Sequence, residues 1–386
     1  MAGETRILRE GFERVYGNTD GLRYFRGPGR VNLIGEHTDY NLGFVLPMAL
    51  DMASFIAAAP NGDGKLRVYS DNLRDAAERP VGEIAGLKPA KHWTDYVLGV
   101  AQQLVRAGFD IKPTNLLIHS TVPVGSGLSS SAALETSTAL ALLGDRKMEP
   151  LELVKLCRRA ENEFVGMPCG IMDQYISVFG RAGSAVKIDC RSLENEAAQL
   201  PASVAIFATN TMVKHELGAS AYRERVRECR EAVEAIKTVK PEVESLRDVD
   251  VALFEKAADR IPAVARKRAK HVVTEDARVE QFMQASRSGD PKRMGELFVA
   301  SHRSLQHDYE VSCEELDFLV DAAIAIPGVY GSRMTGGGFG GCTVTLVAPE
   351  QAENFRKTIT AKYEAKFRLT PQIYPCVPSA GAEEIR

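Results

Sequence analysis

Residues 29–41 read GRVNLIGEHTDYN, an apolar run that stops at Gly35 and is followed at once by polar and aromatic side chains. Two carboxylates, an imidazole and a hydroxyl fall within four residues: Glu36, His37, Thr38 and Asp39. Such a set can satisfy several hydroxyl groups of a polar ligand. Arg30 adds a permanent cation at the start of the run. The alternative is a solvated loop after an edge strand, but a plain loop has no need of these charged and titratable groups beside a buried run. We therefore predict a pocket for a polyhydroxylated ligand.

The size and composition of the chain are those of an ordinary globular protein with two domains. It has 386 residues, of which 45% are apolar and 26% charged, and its net charge is −3. A chain of this length exceeds one compact core, so two domains sharing a cleft are expected. The charge gives no reason to expect a nucleic-acid surface. The basic cluster Arg266–Lys270 is interpreted as a solvated helix face.

Cysteine usage and the lack of long apolar runs predict a cytoplasmic protein. The seven cysteines are odd in number, widely spaced and without a Cys-x-x-Cys pair, so neither a disulfide framework nor a structural zinc site is expected. The first residues carry no apolar signal core. No stretch has the length of apolar sequence that spans a bilayer. We therefore expect no membrane partner.

Hydrophobic periodicity predicts an α+β protein with mixed or antiparallel sheets. The second half is mostly helical between Ala221 and Ile326. Earlier helices are expected over His92–Ala107, Ala132–Leu143 and Leu151–Phe164. We place the domain division at 1–195 and 196–386. Strands are expected at Tyr24–Ile34, Phe44–Ala58, Lys65–Ser70, Leu116–Val122, Ser184–Asp189, Val204–Thr209, Cys342–Val347 and Gln372–Val377.

A glycine- and serine-rich loop at residues 123–133, PVGSGLSSSAA, follows a predicted strand and leads into a helix. Gly125 and Gly127 permit backbone conformations and close approaches that other residues resist. Three serines stand where the first N–H groups of the helix are free to meet an anion. The alternative is a flexible turn whose serine only caps the helix. No Walker motif occurs in the chain, so we predict a phosphate site of another type, in which one hydroxyl can coordinate Mg²⁺.

Asp173 lies in the apolar segment CGIMDQY at residues 169–175. A carboxylate buried there without a partner is costly, and Arg30 is the natural counter-charge that keeps it ionised. An ionised carboxylate can accept a hydroxyl proton during phosphoryl transfer. It can instead position the substrate and neutralise developing charge, and the sequence leaves both roles open. A plain acid at a helix N-terminus is the structural alternative.

A third glycine run, MTGGGFGGCT at residues 334–343, precedes a predicted strand and opens no helix. A dinucleotide fingerprint requires the strand first and the helix after it. We therefore reject a Rossmann interpretation. A tight hairpin connection is the simple alternative.

The three motifs resemble those of the GHMP small-molecule kinases, and residues 29–41 closely resemble the sugar-binding signature of the galactokinase branch. The resemblance covers nearly the whole chain and implies a two-domain α+β fold with the active site in the cleft between domains. It implies that the phosphate loop wraps the nucleotide phosphates and that the third glycine run packs against it. It also implies that Arg30 and Asp173 act at the anomeric hydroxyl of the sugar.

The same resemblance implies roles for further residues. Those expected to hold the sugar are Glu36, His37, Asp39, Gly170 and Tyr222. Those expected around the phosphates of ATP are Gly125, Ser126, Gly127, Leu128, Ser129, Ser130 and Ser131. Trp93 and Tyr96 are expected near the adenine, although core packing is the first interpretation from the sequence itself. Ser131 and Glu161 are expected to bind Mg²⁺, although the spacing of Glu161 does not single it out from Glu163.

These features predict ATP-dependent phosphorylation of galactose to galactose 1-phosphate and ADP, the entry step of the Leloir pathway by family resemblance. Two alternatives stay open. One is a related kinase acting on N-acetylgalactosamine or arabinose. The other is a non-catalytic galactose sensor, which the presence of Ser131, Glu161 and Asp173 disfavours. The expected partners are galactose and ATP, and a monomer is favoured.

Overall fold

Three β-sheets organise the chain in a computed structural model, which describes residues 2–214 and 218–385. The strands of the first sheet are β1 (Arg23–Asn32), β3 (Pro47–Pro60), β4 (Lys65–Ser70), β5 (Asp75–Pro80), β6 (Thr114–Ser120) and β13 (Glu383–Ile385). The second sheet contains β2 (Phe44–Val45), β7 (Ser184–Asp189) and β8 (Asn195–Gln199). The third contains β9 (Ala205–Lys214), β10 (Val329–Thr335), β11 (Gly340–Val347) and β12 (Gln372–Pro375).

The helices fall into two groups along the chain. The N-terminal group is α1 (Ala2–Tyr16), α2 (Asp95–Arg106), α3 (Ser130–Leu143), α4 (Pro150–Arg159) and α5 (Met172–Phe179). The C-terminal group is α6 (Gly218–Lys237), α7 (Val251–Ala257), α8 (Ala263–Arg287), α9 (Pro291–Ser304), α10 (Glu314–Ile324) and α11 (Ala352–Phe367). None of these described helices combines the length and the apolar character needed to cross a membrane.

The first sheet has the order β13-β1-β3-β6-β4-β5 and is antiparallel except between β4 and β6. Helix α1 covers one face with Leu8 and Phe12, while α2 and α3 pack on the other. Strand β1 is almost wholly buried because it is covered on both faces. The apolar residues at and just beyond its end, Val31, Leu33 and Ile34, pack into the same core as α8, α9 and β11. The polar residues that follow are thereby held between the N-terminal and C-terminal parts of the chain.

The predicted α+β class with antiparallel and mixed sheets is confirmed. Strand β8 pairs with β7. Strand β13, formed by residues near the end of the printed sequence, pairs with β1 in the first sheet. The domain division at residues 195 and 196 stays a prediction.

Two predicted helices differ in detail from those observed. Helix α2 begins at Asp95 rather than His92, because the Asp95 carboxylate accepts the backbone N–H groups of Ala90 and His92 and fixes a turn there. Helix α4 ends at Arg159 and continues through Ala160–Val165 as a wider π-helical turn. Such turns are often found at functional sites, and this one carries Glu161.

Candidate active site

A cavity of about 120 Å³ lies where the residues after β1 meet the start of α5 and the third glycine run. All seven residues predicted for catalysis and sugar binding line it: Arg30, Glu36, His37, Asp39, Gly170, Asp173 and Tyr222. The sequence did not single out the other lining residues, which are Tyr40, Pro168, Cys169, Met172, Gly336 and Gly337. The polar residues of the opening motif therefore do surround one pocket.

Arg30 and Asp173 form the predicted ion pair at one side of this cavity. Arg30 Nε and Nη2 donate to the two carboxylate oxygens of Asp173, each at 3.0 Å. Arg30 Nη1 also donates to the carbonyl of Gly127, and the Ser129 hydroxyl donates to Asp173 Oδ2. Asp173 lies in the first turn of α5, where the helix dipole favours a negative charge. The pair thus connects the cavity to the phosphate loop.

Asp39 lies directly against Gly170. A Cβ atom built on Gly170 would stand 1.5 Å from Asp39 Oδ2, so only glycine fits without displacing that carboxylate. Burial, with the nearby charge of Asp173 second, raises the pKa of Asp39 to about 6. The glycine at position 170 therefore has a steric reason as well as the place at the sugar that the resemblance implies.

Glu36 is held by two groups that the sequence analysis missed. Its Oε1 accepts the backbone N–H of Gly336 at 2.8 Å and lies 3.5 Å from Arg333 Nη1. Arg333 is fully buried and also donates to the carbonyl of Leu33 at 2.8 Å. Glu275 of α8 accepts the backbone N–H of Gly35 at 3.0 Å. These contacts fix the turn that presents Glu36 to the cavity.

His37 is buried with a left-handed backbone, at φ 63°. Its Nδ1 lies 2.9 Å from the Tyr40 hydroxyl, which is 2.7 Å from the hydroxyl of Tyr309. Burial, followed by the charge of His271, lowers the pKa of His37 to about 3, so the ring is neutral near pH 7. Its Nε2 is buried and makes no close hydrogen bond within the described residues, although the backbone of Gly337 acts on the ring and partly offsets the fall in its pKa. His37 borders the cavity through this neutral ring.

The phosphate loop opens α3 without a side-chain cap, so the first amide groups of that helix are not taken by a serine oxygen. The third glycine run packs against it, as expected. A Cβ on Gly336 would lie 3.1 Å from the Gly127 carbonyl, and one on Gly341 would lie 3.0 Å from that of Ser126. One side of the phosphate loop therefore packs against β11 and the residues that connect it to β10.

Oxygen donors suited to Mg²⁺ lie beside the loop. Burial, with the charge of Asp173 second, raises the pKa of Glu161 to about 7, and the neighbouring Ser131 side chain partly offsets this rise. The described residues include no group of three or more His, Cys, Asp or Glu that could hold a metal ion by themselves. Mg²⁺ is usually held by one or two carboxylates together with substrate phosphates, so a hydroxyl and a carboxylate here fit that ion.

Glu135 of α3 and Gln174 of α5 are further residues that the sequence analysis missed. Gln174 Nε2 donates to Glu135 Oε2 at 3.0 Å and to Glu161 Oε2 at 2.6 Å. Burial and the Glu161 charge raise the pKa of Glu135 well above its usual range, and its Oε1 has no described partner. In the sequence, Glu135 is an ordinary helix glutamate, and no local signal marks it.

Trp93 and Tyr96 lie outside the cavity, near the N-terminal end of α2. Trp93 Nε1 donates to Asp75 Oδ2 at 2.7 Å, and the ring packs against the core beneath α2. Burial, with Glu161 second, raises the pKa of Tyr96 to about 12. Core packing is observed for Trp93, and the role of both residues at an adenine stays a prediction.

Comparison with protein families defines the class. The models for the GHMP kinases N-terminal and C-terminal domains match residues 95–181 and 282–365, and the galactokinase galactose-binding signature matches residues 10–60. A mevalonate kinase structure shares the fold, with a TM-score of 0.66 at 17% identity over 92% of this chain and 98% of that one. The chain is a GHMP kinase by family and by fold.

Relatives of higher sequence identity narrow the assignment from the GHMP kinases to one family among them. A galactokinase of Roseiflexus sp. is 43% identical over 99% of this chain and 97% of its own length. The Homo sapiens galactokinase is 45% identical over 87% of this chain and 86% of its own. The crystal structure of Lactococcus lactis galactokinase complexed with galactose superposes with a TM-score of 0.95 at 36% identity, covering 99% and 100% of the two chains. The chain belongs to the galactokinase family, as the motifs predicted.

Proposed function

We propose that this chain transfers the γ-phosphoryl group of ATP to the anomeric hydroxyl of galactose, giving galactose 1-phosphate and ADP. The observation that carries the proposal is the Arg30–Asp173 pair, which lines the polar cavity and contacts the phosphate loop at Gly127 and Ser129. One side of the pair faces the site of an alcohol and the other faces the site of phosphates. Phosphoryl transfer between two such substrates requires that juxtaposition.

The sugar is held by the polar groups around the cavity. Glu36 and Asp39 accept hydrogen bonds from its hydroxyl groups, and the neutral ring of His37 borders the cavity beside them. Gly170 and Tyr222 complete the wall. A site that hydrogen-bonds particular hydroxyls rejects sugars lacking them, because its buried polar groups are then left unpaired. This selection distinguishes galactose from other hexoses.

At the reacting centre, the anomeric oxygen forms a bond to the γ-phosphorus while the bond from that phosphorus to the β,γ-bridging oxygen breaks. Asp173 accepts the hydroxyl proton, or it holds the hydroxyl in line while charge develops. Arg30 stabilises the negative charge in either role. The amide groups at the start of α3 and the backbone of residues 125–131 hold the nucleotide phosphates. Ser131 and Glu161 would hold Mg²⁺, which neutralises phosphate charge when bound.

A sugar panel tests the substrate. ADP release should be measured with ATP and Mg²⁺ across galactose, glucose, N-acetylgalactosamine, galactosamine and arabinose. We expect galactose to give the highest kcat/KM. Release with N-acetylgalactosamine or arabinose but not galactose would favour a neighbouring kinase activity, and binding of galactose without ADP release from any sugar would favour a sensor. A cytoplasmic, monomeric enzyme is part of the same proposal and is testable by light scattering and cell fractionation.

The Gly170→Ala variant is expected to bind galactose about 10- to 100-fold more weakly. The added methyl displaces the Asp39 carboxylate, and a hydrogen bond to a charged group contributes about 1.5–3 kcal/mol. The KM for galactose should rise by that factor while the KM for ATP stays within about threefold. Gly86→Ala is the matched control, since a Cβ there meets nothing within 4 Å. Equal galactose KM values for the two variants would contradict the assignment of Asp39 to the sugar.

A further inference from the structure

Ser129 has a backbone conformation that a serine rarely adopts. Its φ and ψ are 59° and 48°, in the left-handed region, which costs about 1–2 kcal/mol for a residue with a Cβ. Such conformations persist only where the surroundings hold them in place. Glycine would avoid the cost, and the same loop already uses glycine at positions 125 and 127.

The Ser129 hydroxyl does not perform the usual task of a serine at a helix start. It stands at the N-cap position of α3, where serine normally accepts a backbone N–H of the first turn, yet it makes no such bond. Instead it donates to Asp173 Oδ2, and the residue is 8% exposed. The strained backbone therefore directs the hydroxyl at the carboxylate.

Both sides of Asp173 are thereby constrained. Arg30 contacts both carboxylate oxygens from one direction, at 3.0 Å each, and Ser129 contacts Oδ2 from the loop. Arg30 is itself bonded to the carbonyl of Gly127 in that loop. The distance between the Asp173 carboxylate and the phosphate site consequently depends on Gly127 and Ser129, two residues of the same phosphate loop.

We propose that Ser129 is a positioning residue for Asp173, whose hydroxyl orients the carboxylate toward the sugar while its backbone amide belongs to the phosphate loop. The proposal rests on the proposed function, in which Asp173 acts on the anomeric hydroxyl. It differs from a phosphate-binding role for the hydroxyl, which would make that oxygen a contact of ATP. The two roles predict different kinetic effects.

The Ser129→Ala and Ser129→Gly variants separate the hydroxyl from the backbone. We expect kcat to fall about 10- to 100-fold in both, the range set by losing one hydrogen bond to a charged group, while the KM values for galactose and ATP stay within about threefold. Ser288→Ala, exposed beyond the end of α8, is the matched control and should behave as the unaltered enzyme.

Three results would overturn the proposal. A kcat within twofold of the unaltered enzyme in both variants would remove any role for the hydroxyl. A raised KM for ATP with unchanged kcat would assign the hydroxyl to the nucleotide. A normal kcat in Ser129→Gly with a low kcat in Ser129→Ala would assign the effect to backbone strain.

A thermal double-mutant cycle tests the contact independently of catalysis. Ser129→Ala should shift the Tm in the unaltered background and leave it nearly unchanged in an Asp173→Ala background. Equal shifts in both backgrounds would mean that the two side chains do not interact, and would contradict the proposal. If the unaltered chain does not phosphorylate galactose, the proposed function fails while this cycle still decides whether Ser129 holds Asp173.

Discussion

The Asp173→Asn variant is expected to lose about a thousandfold in kcat while its Kd for galactose changes by less than about threefold. The amide has the shape of the carboxylate but cannot accept the hydroxyl proton or carry the charge that pairs with Arg30. Positioned general bases contribute about 10²- to 10⁴-fold. The kcat is measured by ADP release, and the Kd by calorimetry with galactose alone.

Asp259→Asn is the control for this change, because Asp259 is fully exposed and does not line the cavity. A kcat for Asp173→Asn within tenfold of that control would eliminate Asp173 as an essential group. Arg30→Lys then separates the two possible roles, since lysine keeps the charge but loses the bidentate fork. A proton-accepting role predicts a much greater loss in Asp173→Asn than in Arg30→Lys, whereas a positioning role predicts comparable losses.

The Arg333→Met variant should lower the free energy of unfolding by about 3–5 kcal/mol, the usual effect of removing one partner from a buried charge network. Methionine fills similar space but leaves the carbonyl of Leu33 without its side-chain donor and removes the positive charge beside Glu36. Glu275, whose Oε1 is 3.9 Å from Arg333 Nη2, loses a nearby positive charge. Urea denaturation of the protein without ligands measures the change.

Arg287→Met is the matched control, since Arg287 is 61% exposed and its partner Glu196 is also at the surface. Exposed pairs contribute about 0–1 kcal/mol. Similar losses in the two variants would show that the buried network does not hold the turn after β1. The galactose Kd should also weaken in Arg333→Met only, because Glu36 depends on that network.

The sequence was sufficient for the parts of the site whose residues are chemically unusual where they stand. Three features conflict with a simple structural role: a charged cluster after a buried strand, serines after glycines, and a carboxylate among apolar residues. Those conflicts identified five of the seven predicted cavity residues, Arg30, Glu36, His37, Asp39 and Asp173, and the Arg30–Asp173 pair. Resemblance then supplied Gly170, Tyr222 and Glu161, which have no such local signal.

The other residues of the site could not be predicted from the sequence, because their roles depend on contacts with residues that are distant in the sequence. Arg333 lies in β10, and its side chain donates to the carbonyls of Asn32 and Leu33, at and just beyond the end of β1. Glu135 and Gln174 have ordinary helical surroundings, and only the packing of α3 against α5 brings their side chains together. The late start of α2 had a local cause, but one set by the side chain of Asp95 rather than by apolar periodicity.

The return of β13 to the first sheet has a consequence for synthesis on the ribosome. Strands β1 and β3 are close in sequence, whereas the other edge of β1, at Tyr24–Arg26, pairs with Glu383–Ile385. Until that segment emerges, this part of the nascent sheet is an open edge, which is the kind of surface that pairs with other chains. Deletion of Glu383–Ile385 would therefore promote aggregation, although every residue of the cavity precedes that segment.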